Sequence, residues 1–177
     1  MKLLYYILPL VLFLVQCRHK EENIVTQFPG KPQVPSSIKD EHQYLLDKIQ
    51  RITLLPDSTG MAAGKLKDLM QHHFKEEEDM ALPALGLLPL LGGGKLPYQT
   101  KEVIEMCEKL KVQLVHLDVE HQLIKAYMDE LMKVATKENH PEVMELEQVL
   151  QKHAKTEEEV FFPTAILIGE YLKLRTD

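Results

Sequence analysis

The chain carries one pattern twice, and that duplication limits its folding options more than any other feature. Glu41-His42-Gln43 returns as Glu120-His121-Gln122, and Gln71-His72-His73-Phe74-Lys75-Glu76-Glu77-Glu78 returns as Gln151-Lys152-His153-Ala154-Lys155-Thr156-Glu157-Glu158. The two histidines of each copy stand 31 and 32 residues apart, and a proline, Pro83 or Pro163, follows the second histidine by ten residues in both. The surrounding apolar residues recur at steps of three and four, the mark of helices with one buried stripe, and no segment alternates with a strand's period of two. The first stripe is Ile38, His42, Leu45, Ile49, Ile52, and the second is Leu66, Leu69, His73, Glu77, Met80, Ala84. The third is Val103, Cys107, Leu110, Leu114, Leu117, His121, Ile124, Met128, Leu131, and the fourth is Val143, Leu146, Leu150, His153, Glu157, Val160, Thr164. Two like helical hairpins packed face to face predict an all-α, antiparallel up-and-down four-helix bundle over residues 36–172, with 173–177 as a tail.

Local signals place the ends. Ser37 with Asp40 and Asn139 with Glu142 read as capping pairs, Pro141 suits a first helical turn, and Pro83 stops or bends its helix. The stretch from Leu85 to Pro97, with Gly92-Gly93-Gly94, reads as a long, partly buried connection between the halves. Its glycines and Lys95 do not make a phosphate loop, because Leu96 follows the lysine and no strand precedes the run.

Six polar residues lie on the stripes that otherwise hold Leu, Ile, Val and Met: His42, His73, Glu77, His121, His153 and Glu157. A lone histidine at such a place is ordinarily a core residue satisfied by a hydrogen bond. Carboxylates are a different matter, since burying one without a partner costs several kcal/mol and forces pairing, protonation or a bound cation. Each glutamate follows a histidine by four residues, so the two side chains leave the same helix face about 5–6 Å apart at Cβ, within reach of a shared ion. Four imidazoles and two carboxylates exceed the four donors of tetrahedral zinc and favour octahedral iron or manganese.

The pattern H…HxxxE…H…HxxxE, with acidic runs and a following proline, resembles the hemerythrin-like HHE cation-binding family over about 135 residues. The resemblance implies two non-haem iron ions bridged by carboxylates or an oxo group, with Glu77 and Glu157 bridging and His42, His73, His121 and His153 as terminal ligands. Oxygen carriers of that family have a further histidine four residues after the third-helix ligand, where this chain has Lys125. Six protein ligands resemble instead the branch associated with nitric oxide stress and iron-centre repair, whose irons keep open or water-filled positions. The implied activity is binding or sensing of O2, NO or peroxide. The alternatives are a di-iron enzyme that reduces peroxide or nitric oxide, a repair-type protein, and a metal-free interaction module.

His116, five residues before His121 and without a counterpart in the first half, is a candidate seventh ligand or a partner to one. Glu158 is the residue that would replace Glu157 if the register slipped. Glu76, Glu78 and Glu159 read as solvated flanks, His72 as a solvent neighbour of His73, and Cys107 as core packing.

The beginning of the chain reads as an export signal over residues 1–16. Lys2 supplies the positive charge, Leu3 to Val15 is an apolar run too short to span a bilayer comfortably, and Leu14-Val15-Gln16-Cys17 resembles a lipobox, with Gln16 departing from its usual small residue. Cys17 is the expected lipidation site and residues 17–35, with Pro29, Pro32 and Pro35, the expected tether. The expectation is a membrane-anchored lipoprotein facing the periplasm or cell surface. A formal net charge of -6 leaves no basic excess for nucleic acid.

Overall fold

The computed structural model describes residues 25–26 and 31–176. The expected signal peptide and Cys17 lie outside the described residues. Helices dominate: α1 (Ser36–Ile52), α2 (Ser58–Glu76), α3 (Leu88–Gly92), α4 (Thr100–Glu138), α5 (Glu142–Thr156) and α6 (Phe162–Thr176). Two short parallel strands, β1 (Val25–Thr26) and β2 (Leu96–Pro97), pair beside them. No helix among the described residues is long and apolar enough to cross a membrane.

Helix α1 packs on α2 and α5, α2 packs on α4, and α4 packs on α5 and α6. The 39-residue α4 is about 58 Å long at 1.5 Å per residue. It therefore runs past two separate apolar cores. One gathers Ile38, Leu82, Leu85, Leu110, Leu117 and Leu172 among others, and the other gathers Leu45, Ile49, Leu66, Met70, Leu131 and Leu146. The predicted polar residues lie between them.

The stripe of α1 is buried as read, Ile38, His42, Leu45, Ile49 and Ile52. In the second and fourth stripes the reading slips after the glutamates. Residues Glu77–Ala81 and Glu157–Phe161 each form a π-helical turn, closed by Leu82 N–H donating to Glu77 O and Phe162 N–H donating to Glu157 O. A π turn holds one extra residue, so every later position rotates. Ala81 is buried where Met80 was expected, although Ala84, in the tighter turn after Pro83, is buried as read, and Phe162 and Ala165 are buried where Val160 and Thr164 were expected, with Val160 left 51% exposed. The repeated prolines account for the turn. A proline lacks the N–H of an α-helical bond and its ring crowds the carbonyl four residues back, and widening the preceding turn moves that carbonyl aside. Past Pro83 the chain tightens into a 3-10 turn, Pro83–Leu87, whereas past Phe162 it resumes as α6.

Both expected side-chain caps are corrected. Helix α1 begins one residue earlier than Ser37, with Pro35 before it and no side-chain cap. Asn139 does not open α5 but closes α4: it is left-handed at φ 64, and His140 N–H donates back to Ala135 O at 2.9 Å. The cap that does form is Asp57, whose Oδ1 accepts from Thr59 N–H and Gly60 N–H at the start of α2. Within the stretch read as tether, Pro32 and Val34 are buried against the domain. That approach requires Gly86, where an added Cβ would lie 2.0 Å from Gln33 O.

One pole of the molecule is pinned by polar contacts. Glu138 accepts from Thr59 N–H at 2.8 Å and Thr59 Oγ1 at 2.6 Å, and His140 Nε2 lies 2.7 Å from Asp57 Oδ2. The hydrogen bond to Asp57 holds His140 above its ordinary pKa, while His140 holds Asp57 below its own. A raised histidine stabilises fully below its unfolded pKa, about 6.5, and the benefit fades as pH rises through the folded value. The lowered Asp57 stabilises above its unfolded value, and that benefit fades as pH falls through the folded one. His140→Ala should therefore lose stability relative to the parent in mildly acidic solution and lose less at alkaline pH. Urea unfolding of both proteins at several pH values checks this, and a pH-independent difference would refute it.

Gly169 of α6 sits against Cys107 of α4, and a Cβ added there would lie 2.5 Å from Cys107 Cβ and 3.1 Å from its Sγ. Gly→Ala in an exposed helix should stabilise by up to about 1 kcal/mol. Here overpacking outweighs that gain, and Gly169→Ala should cost about 1–3 kcal/mol in urea unfolding. An unchanged or higher midpoint would contradict the contact. Burial also pushes the Cys107 thiol up to about 11, so packing, not reactivity, describes this residue.

Candidate metal centre

The structure brings His42, His73, Glu77, His121, His153 and Glu157 together, each at most 8% exposed, in the layer between the two cores. Their helical positions explain this. His42, His73, His121 and His153 replace apolar residues on the buried stripes of α1, α2, α4 and α5, and each glutamate lies four residues past a histidine, at the first position of a π turn. Glu157 Oε1 lies 3.0 Å from His153 Nε2 and 3.5 Å from His42 Nε2, and its Oε2 lies 3.4 Å from His121 Nε2. Glu77 Oε1 lies 3.3 Å from His73 Nε2 and 3.8 Å from His121 Nε2, and its Oε2 lies 3.8 Å from His42 Nε2.

These atoms sort into two groups that share both carboxylates. His42, His153, Glu77 and Glu157 offer donors within 4.8 Å of one another, and so do His73, His121, Glu77 and Glu157. The histidine pairing crosses the repeat, one ring from each half in each group, which sequence spacing alone does not reveal. Among the described residues, the buried side-chain atoms lacking a hydrogen-bond partner belong to this cluster: His73 Nε2, both oxygens of Glu77, His121 Nε2, both nitrogens of His153, and Glu157 Oε2. Orphaned buried polar atoms ordinarily cost about 1–3 kcal/mol each and are rare in folded proteins. A concentration of them around one point fits a bound cation, so the donor set passes the test that a metal centre demands.

Outside this cluster stands a second layer of carboxylates. His42 Nδ1 is 2.8 Å from Glu78 Oε1 and His121 Nδ1 is 2.7 Å from Glu158 Oε1. His73 Nδ1 is 2.9 Å from Glu120 Oε2 and His153 Nδ1 is 3.5 Å from Glu41 Oε1. For His42, His73 and His121 an Nδ1–H donated outward fixes the tautomer, so that Nε2 presents its lone pair to the centre, whereas Glu41 only stands near His153 Nδ1 without a hydrogen bond. Glu78 was expected as a solvated flank, and it instead orients a ring. Glu158 does not replace Glu157, and its contact is with the far side of His121. Glu41 and Glu120 escaped the sequence reading although the EHQ repeat contains both. A residue one step before a ligand points roughly a quarter-turn away, which carries these two glutamates to the histidines of neighbouring α5 and α2.

The electrostatics of the metal-free centre follow. Burial alone would lower His73, but the close Glu77 carboxylate and the neighbouring Glu120 and Glu157 win and raise it to about 9. His42 and His121 are raised against the same opposition from burial. Burial lifts Glu77 above the usual carboxylate range, with the charge of Glu157 adding to it. Burial works against the charge of Glu157, but the imidazoles of His121, His153 and His42 close around it hold it well below that range.

The model of the hemerythrin HHE cation binding domain matches residues 33–165. The chain belongs to the hemerythrin HHE family. No curated protein and no solved structure matches it. Membership in a cation-binding family agrees with the buried His/Glu groups, and the described residues of the HHE chain are mostly helical, consistent with a hemerythrin bundle.

His116 does not join the buried groups. It is on the outside of α4, its Nε2 3.1 Å from Glu76 Oε2. Lys125, at the position four residues past His121, pairs with Asp129 at 2.9 Å. Both line a cleft of about 410 Å³ together with His121, Met128, Leu150 and Glu158. If Glu158 holds His121 in register, Glu158→Ala should weaken metal binding about 10–100-fold while leaving the metal-free fold intact. Metal titration alongside circular dichroism measures both, and unchanged affinity would dismiss the orienting role.

Proposed function

We propose that this HHE chain holds two non-haem irons, on His42 with His153 and on His73 with His121, with Glu77 and Glu157 shared between them, in an antiparallel up-and-down bundle of two like hairpins. The observation that carries the reading is the set of orphaned buried donors, divided into two groups that have both carboxylates in common. Six ligands leave a two-iron centre short of full octahedral coordination, so it would supply open positions and electrons to O2, NO or peroxide. Manganese is the less favoured occupant.

The chain's own residues define what can reach that point. Apolar cores on either side exclude bulk water, and the His42 ring stacks on Phe74 with centroids 4.2 Å apart while His121 lies parallel to Phe162. Glu78, Glu120 and Glu158 hold the Nδ1 protons of His42, His73 and His121, so those rings keep one orientation through changes of charge at the centre. The cleft beside His121 gives a small ligand a route to that histidine's side of the site. Ferrous iron added anaerobically should be retained at about two per chain, as octahedral His/carboxylate sites predict, and develop di-ferric absorption bands in air. A chain that retains no metal would end this reading.

The sequence of residues 1–17 supports export and lipid anchoring through Cys17 at the periplasmic or outer cell surface. Fatty-acid labelling that survives Cys17→Ala would overturn that assignment. Repair of cytoplasmic iron centres fits such a location poorly, and reversible release of unchanged ligand would separate a binder from a peroxide- or NO-reducing enzyme.

A further inference from the structure

Beside the buried centre, one face of α2 and α4 carries a second constellation of metal-binding side chains that the repeat does not explain. His72, Glu76 and Glu120 each offer a donor atom within 4.8 Å of the others. His72 Nδ1 is 3.5 Å from Glu120 Oε1 and His72 Nε2 is 3.8 Å from Glu76 Oε1. His116 closes the group from α4, its Nε2 3.1 Å from Glu76 Oε2 and 3.7 Å from Glu120 Oε1. Donors bound tetrahedrally at about 2.0–2.1 Å stand roughly 3.4 Å apart. Each ring gives an ion one nitrogen, so the exposed His72 and His116 would turn to bring one donor apiece to the two carboxylates.

We propose that His72, Glu76, His116 and Glu120 form a separate, solvent-accessible site for one divalent transition cation of the zinc or ferrous type. Three observations converge on it. The first is composition: two imidazoles and two carboxylates are a transition-metal set, whereas calcium and magnesium take oxygen alone. The second is the broken symmetry. The positions equivalent to His72, Glu76, His116 and Glu120 in the other half are Lys152, Thr156, Ser37 and Glu41, which retain only the carboxylate that stands beside a ring. The repeat thus accounts for Glu120 and leaves the other three unexplained by the buried centre. The third is the position of Glu120, 7% exposed, with Oε2 on His73 Nδ1 and Oε1 turned outward to His72 and His116. One carboxylate therefore faces both sites. His72 and His116 are open enough for an ion to enter, their side chains 63% and 48% exposed.

The test uses the full chain with its buried centre already loaded with iron. Zinc is added by equilibrium dialysis, and modification of individual histidines by diethylpyrocarbonate is read by mass spectrometry with and without zinc. The expected result is one zinc bound beyond the iron content, together with protection of His72 and His116. In the His72→Ala/His116→Ala variant the extra zinc should bind at least tenfold more weakly with iron content unchanged, because neither residue touches the buried donors. No additional zinc, or the same additional zinc in parent and variant, overturns the site and leaves these residues as surface ion pairs. The same titration on iron-free chain separates this outcome from failure of the di-iron reading, since protection of His72 and His116 reports on the outer site alone.

Discussion

Stripping the metal from the iron-loaded chain should lower its melting temperature by roughly 5–16 °C. A ligand that binds only the folded state at 100 to 1,000 times its dissociation constant adds about 2.7–4.1 kcal/mol, and in a chain of this size each kcal/mol is worth about 2–4 °C. The structure gives a reason for an effect of that size. The polar layer separates two apolar clusters, one with Leu82, Leu110 and Leu172 and the other with Leu45, Leu66 and Leu146. Without a cation, that layer holds two carboxylates and four imidazoles at most 8% exposed, several of their atoms lacking any partner. Removing the ion therefore uncouples the clusters as well as subtracting binding energy, and the unfolding transition should broaden. Calorimetry before and after chelation measures both. Equal melting curves would mean that the layer is satisfied without metal, which is the behaviour expected of a metal-free interaction module.

Much of this layer is legible in the sequence, and the part that is not has identifiable causes. Stripe periodicity places His42, Leu45 and Ile49 on one face because α1 is regular throughout, and Val103, Cys107, Leu110, Leu117, His121 and Leu131 hold their places along α4 for the same reason. The same period fails beyond Glu77 and Glu157, where the π turns shift burial to Ala81, Phe162 and Ala165. Repeated prolines six residues after each glutamate carried that information, but as a helix stop, and only backbone geometry shows the widened turn. Glu41 and Glu120 were visible as repeat members yet received no role, since a one-residue step from a ligand points off the stripe until a neighbouring helix supplies the partner. Asn139 illustrates competing local chemistry. Asparagine suits both a helix start and a left-handed stop, and here the end of the long α4 claims it. The crossing of histidine pairs between halves depends on how the hairpins dock, which spacing along one chain does not encode.

The shared carboxylates, equivalent in the repeat, should respond unequally to neutralisation in the metal-free chain. Glu157 lies within 3.5 Å of three imidazole nitrogens, whereas Glu77 has one that close. Glu157 accordingly keeps its charge, and Glu77 is pushed toward its protonated form by burial and by Glu157. A depressed carboxyl stabilises above its unfolded pKa and ceases to do so as pH falls through its folded value; a raised one favours folding below its unfolded pKa and loses that advantage as pH rises through its folded value. At neutral pH, Glu157→Gln removes the counter-charge of His42 and His121. Breaking a buried pair costs about 3–5 kcal/mol, and release of protons from the imidazoles holds the loss near the lower figure. Glu77→Gln removes the close counter-charge of His73 but also a repulsion with Glu157, so the metal-free variant should lose less stability in urea than Glu157→Gln. Both variants should lose iron binding, because both remove a carboxylate that the two donor groups hold in common. Equal destabilisation by the two substitutions in metal-free protein would show the charge to be spread evenly over the pair, and retention of iron by either would show that its carboxylate is not a shared ligand.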